Sequence, residues 1–117
     1  MAEVSRPRVH QPGEADAAPR IAWTAVSADL HVNVVALGPG EAIGGHVNAA
    51  LDVLLTCIAG TGTLTVDGEE IPLAAGTVAL IPRGAHRGSR AGMDGLRYVT
   101  CHRRRPALMP TVAPRQG

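Results

Sequence analysis

With 117 residues the chain is the size of one domain, and its 45% hydrophobic share is enough to build a core. That core must be aliphatic, because the sequence has no Phe, one Trp and one Tyr. A net charge of +1 argues against a nucleic-acid partner, and no apolar run approaches the roughly 18 residues that would span a membrane as a helix.

Residues 1–20 are rich in Pro, Ala and charge, without periodicity. They predict a flexible N-terminal arm, and they lack the apolar stretch of a signal peptide. A first strand is expected from Ile21 to Ala28. A second, His31 to Leu37, is closed by Gly38-Pro39-Gly40. A loop carrying Gly44, Gly45 and His46 follows. Val53 to Ala59 is apolar almost throughout and short enough for a buried strand. Gly60-Thr61-Gly62 interrupts it. Thr63 to Val66 then alternates polar with apolar and runs into Asp67-Gly68, a hairpin turn signal. Glu70 to Leu73 and Thr77 to Ile81 are two further strands, separated by Ala75-Gly76, and Pro82-Arg83-Gly84 stops the second. Residues 87–95 are polar and contain glycine, so they predict a loop before a last strand, Leu96 to His102. The barrel domain is therefore expected over 21–105. A tail over 106–117 carries Pro106, Pro110 and Pro114, which cannot keep donating to a sheet.

Six to eight short strands between Gly, Pro and Asp turns predict an all-β fold, an antiparallel sandwich or barrel. Only two cysteines occur, Cys57 and Cys101, which suits a reducing cytoplasm rather than a disulfide framework. Cys57 lies in an apolar run and is expected to be buried. Arg103-Arg104-Arg105 is expected to be solvated, and His10 and His31 to be structural or solvent-facing.

The passage Gly40 to His86 resembles the cupin superfamily, small jelly-roll barrels. Gly40, five residues, His46-Val47-Asn48, three residues, Asp52, seven residues and Gly60 follow the family's first motif. Gly76, five residues and Pro82-Arg83-Gly84 follow its second. The resemblance covers roughly residues 30–102. It implies an antiparallel jelly-roll barrel, a homodimer, and a pocket inside the barrel built from His46, Asn48, Asp52 and either His86 or Arg87. In metal-binding members this motif holds a divalent cation. Here Asn48 stands where the second histidine would be, Asp52 where a glutamate would be, and strict counting places Arg87 at the last ligand position.

Three readings of the site stay open. In one, His46, Asp52 and His86 form a two-histidine, one-carboxylate face for Fe, Mn, Ni or Zn, with Asn48 as a weak oxygen ligand, in an oxygenase or isomerase. In another, the metal site is degenerate and the barrel binds a small molecule in a polar pocket. There Arg87 clamps a carboxylate or phosphate and His46 is a candidate base. A structural role, with His46 and Asn48 pairing with each other and the loop, is the third possibility. Register decides among them, because a one-residue slip turns a side chain to the other face of its strand. The scarcity of aromatic rings points to a small acid or an aliphatic ligand.

Overall fold

The computed structural model describes residues 6–104. They form seven strands: β1 (Ile21–Val26), β2 (Leu30–Leu37), β3 (Ala42–Val47), β4 (Val53–Val66), β5 (Glu69–Ala74), β6 (Val78–Ile81) and β7 (His86–Arg103). Every strand pairing is antiparallel. β4 and β7 are long and serve both faces of the barrel. Their outer halves pair with β2 and β6, giving the face β1-β2-β7-β4-β6. Their inner halves pair with β3 and β5, giving the face β3-β7-β4-β5. This is the expected all-β jelly-roll barrel. No helix long and apolar enough to cross a membrane occurs among the described residues.

The two long strands are where the structure departs from the sequence reading. Gly60-Thr61-Gly62 does not end a strand; it bends β4, with register shifts between Cys57 and Ala59 and between Gly60 and Gly62. Gly60 has φ +77°, and a Cβ there would overlap the Gly95 carbonyl; one on Gly62 would overlap the Arg90 carbonyl. The two backbones cross too closely for any side chain. Residues 87–95, expected as a loop, belong to β7. Their polarity hid the strand, because one flank faces water: Arg90 is exposed while Ser89 and Ala91 are buried. Likewise β3 occupies the expected Gly44-Gly45-His46 loop, pairing Ala42 with Arg90 and His46 with Arg87. Gly44 and Gly45 form its bulge.

β4 alternates cleanly, with Val53, Leu55 and Cys57 buried and Leu54 and Ile58 exposed. With Leu64, Leu73, Ile81 and Leu96 they make the aliphatic core. Cys57 is buried in it, and both cysteines are free thiols. At the β4–β5 hairpin, Asp67 and Gly68 both have positive φ, +49° and +85°, as a tight primed turn requires.

The segment before β1 is tied to the barrel. Ala18 and Ile21 exchange backbone hydrogen bonds of 3.0 Å, the Arg97 guanidinium donates to Asp16 at 3.4 Å, and the His10 ring lies 5.8 Å from Trp23. Within the arginine run, Arg103 and Arg104 are exposed, and Arg104 anchors the end of β7 by donating to the Asp29 carbonyl at 2.7 Å. Residues 1–5 of the expected arm, the domain boundary at 105 and the tail 106–117 lie outside the described residues.

Candidate functional site

A cavity of about 140 Å³ lies inside the barrel. Val35, Ile43, Leu55 and Leu64 form its apolar wall, and Asn33, His46, Arg87, Ser89, Tyr98 and Thr100 its polar one. Strand alternation places most of them: Asn33 and Val35 on β2, Tyr98 and Thr100 on β7, with Asn33 opposite Thr100 and Val35 opposite Tyr98. Ile43 and His46 are three apart on β3, a spacing that ordinarily puts two side chains on opposite faces. The bulge at Gly44-Gly45 adds a residue and returns His46 to the cavity.

The register of β7 settles which of His86 and Arg87 faces in. The Asp67 carboxylate accepts from the His86 backbone N–H at 2.9 Å, and the Asp67 N–H donates to the His86 carbonyl at 2.8 Å. These bonds hold His86 opposite Val47 and Arg87 opposite His46. Arg87 then shares the cavity face with Ser89, and His86 is exposed.

Asn48 and Asp52 are placed elsewhere. The Asn48 side-chain oxygen accepts from the Ala50 and Leu51 N–H groups, both at 3.1 Å, and its carbonyl accepts from Gly84 N–H at 2.8 Å. Asp52 is exposed and accepts from the Arg83 N–H at 2.9 Å. The two residues join the β3–β4 loop to the Pro82-Arg83-Gly84 turn. Of the five expected pocket residues, the structure brings together His46 and Arg87. It adds Asn33, Ser89, Tyr98 and Thr100, which the sequence reading passed over. Period-two alternation on β2 and β7 carried that signal for Asn33, Tyr98 and Thr100. Ser89 was hidden in the assumed loop.

The electrostatics follow from burial. Arg87 Nη1 is fully buried and has no hydrogen-bond partner among the described residues. Burial pushes the guanidinium below its ordinary pKa, opposed by nearby Tyr98. The Tyr98 hydroxyl lies 2.9 Å from Ser89 Oγ. Burial raises its pKa, while the Ser89 bond and the Arg87 charge pull it down. His46 sits at the exposed rim, and its pKa is lowered, first by desolvation and then by Arg87.

These residues do not fit a divalent cation. Among the described residues no three His, Cys, Asp or Glu side chains converge. His46 faces a guanidinium, whose fixed charge opposes a dication, while the Asp52 carboxylate and the His86 ring lie away from the cavity.

The electrostatics make one prediction here. An NMR titration should place the His46 pKa below 6.5, and Arg87→Met should raise it part of the way, since burial remains. The sign follows by linkage. Below pH 6.5 the unfolded chain takes up this proton first, so the stability His46 contributes above that pH is lost as pH falls through its folded-state value. A His46 pKa unmoved by Arg87→Met would separate the two side chains.

Comparison with known proteins matches residues 33–99 to the cupin-domain family (Cupin_2). The chain is 31% identical over 71 residues to dimethylsulfoniopropionate lyase DddW of Ruegeria pomeroyi, a match covering 61% of this chain. It spans less than half of that relative's length, 46%. KdgF from Halomonas sp. is similar in structure at a TM-score of 0.69 and 20% identity, over 78% of this chain and 84% of that one. TT1209 from Thermus thermophilus is similar at 0.66 and 25% identity, over 90% and 94%.

Proposed function

The chain belongs to the cupin-domain family, and from that premise we propose that it binds a small molecule in its barrel cavity without using a divalent metal. One observation carries this reading: the buried, unpartnered Nη1 of Arg87 in a cavity it shares with His46. A buried donor on a charged group is costly to leave unpaired. A bound ligand that accepts from it removes that cost.

The proposal extends to partner and compartment. Leu54, Ile58, Val78 and Leu80 are exposed on β4 and β6, with Leu54 opposite Leu80. Such an apolar outer face supports a second copy of the chain as its cover. Two free thiols support a reducing cytoplasm. Native mass spectrometry tests metal and assembly together. The expected spectrum is a metal-free dimer whose mass is unchanged after incubation with Fe, Mn, Ni or Zn. Stoichiometric metal retained by the wild type and lost from His46→Ala would refute the metal-free pocket, and a monomer at micromolar concentration would refute the dimer.

The similarity to a lyase favours a second reading, in which the same cavity turns its ligand over. His46, held neutral, is then the candidate proton acceptor. Incubation with dimethylsulfoniopropionate, followed by NMR for loss of the compound, separates binding from turnover.

A further inference from the structure

We propose that the ligand is a short aliphatic monocarboxylate, with its carboxylate on Arg87 and its carbon chain against Val35, Leu55 and Leu64. The inference deepens the pocket reading and rests on it.

Three features select this class. The first is charge. Arg87 is the one fixed charge lining the cavity among the described residues; no Asp or Glu lines it. A guanidinium without a buried counterion favours an anion, and its planar fork matches a carboxylate. A dianion such as phosphate would leave charge unmatched, because His46, whose pKa is lowered, adds none at neutral pH.

The second is size. The cavity holds about 140 Å³, and an apolar cavity of roughly 150 Å³ accepts a six-atom ring such as benzene. Six heavy atoms correspond to butyrate. A hexose-sized sugar acid has about twice that number and would not fit.

The third is the division of the wall. Val35, Leu55 and Leu64 belong to the buried core cluster and offer no polar atom. Tyr98 and Ser89 already hydrogen-bond each other at 2.9 Å, and the Asn33 side-chain oxygen accepts from Thr24 at 2.7 Å. Arg87 lines the cavity, and its Nη1 is buried and left without a protein partner among the described residues.

The test is calorimetric titration of the full chain with butyrate, butyramide and inorganic phosphate. Wild type should bind butyrate, and butyramide and phosphate about tenfold or more weakly, the difference a charge-assisted bidentate contact makes. Arg87→Met should lose the preference for butyrate over butyramide while keeping its strand CD spectrum. Leu55→Phe, which fills the cavity and leaves Arg87 in place, should abolish binding of both. Equal binding of butyrate by Arg87→Met and wild type would overturn the carboxylate assignment. Preference for butyramide, with loss of binding in Leu55→Phe, would overturn it while sparing the pocket. Butyrate binding undiminished in Leu55→Phe would overturn the pocket itself.

Discussion

Gly60→Val should destabilise the barrel severely and move its urea midpoint far below that of the wild type. Gly60 lies at the bend of β4 with φ +77°, and a Cβ there would overlap the Gly95 carbonyl across the strand crossing. The left-handed backbone alone costs a β-branched residue about 1–2 kcal/mol. The overlap adds a backbone displacement in both long strands. The partner atom is main chain, so no rotamer change relieves it. Together these reach roughly 4 kcal/mol or more, a large share of the 5–15 kcal/mol that holds a typical domain folded. Gly84→Ala is the control. Its φ is +86°, but nothing lies within 4 Å of an added Cβ, so it should cost only the backbone term, about 1 kcal/mol. Urea unfolding followed by CD distinguishes them. Equal midpoints for the two variants would mean that the crossing is not as close as described.

Leu64→Ala should destabilise the barrel by about 2–5 kcal/mol, the usual range for a buried leucine, because the neighbouring side chains collapse only partly into the space. Leu64 is 1% exposed and belongs to both the core cluster and the cavity wall. The deletion therefore enlarges the existing cavity. The variant should accept a longer monocarboxylate such as hexanoate, which the wild type excludes, and bind butyrate less tightly. A loss below about 1 kcal/mol, with an unchanged preference for butyrate, would place Leu64 outside the wall.

Most of the barrel was legible in the chain because its signals are local. The Asp67-Gly68 turn, the alternation from Val53 to Cys57 and the spacing from Gly76 to Pro82 each depend on a few adjacent residues. β3 and the first half of β7 were not legible. A polar, glycine-containing strand at a barrel rim looks like a loop until its partner is known, and His46 and Arg87 are each other's partners.

For the cavity, spacing singled out His46, which lines it, and raised the choice between His86 and Arg87. Pairing resolved it. The bulge at Gly44-Gly45 returns His46 to the cavity, and Asp67 holds β7 in the register that faces Arg87 inward. Asn48 and Asp52 occupy motif positions, yet their oxygens cap a loop and a turn. A residue type is written locally, but the direction of a side chain on a strand depends on register. Register is decided by hydrogen bonds between segments far apart in the chain.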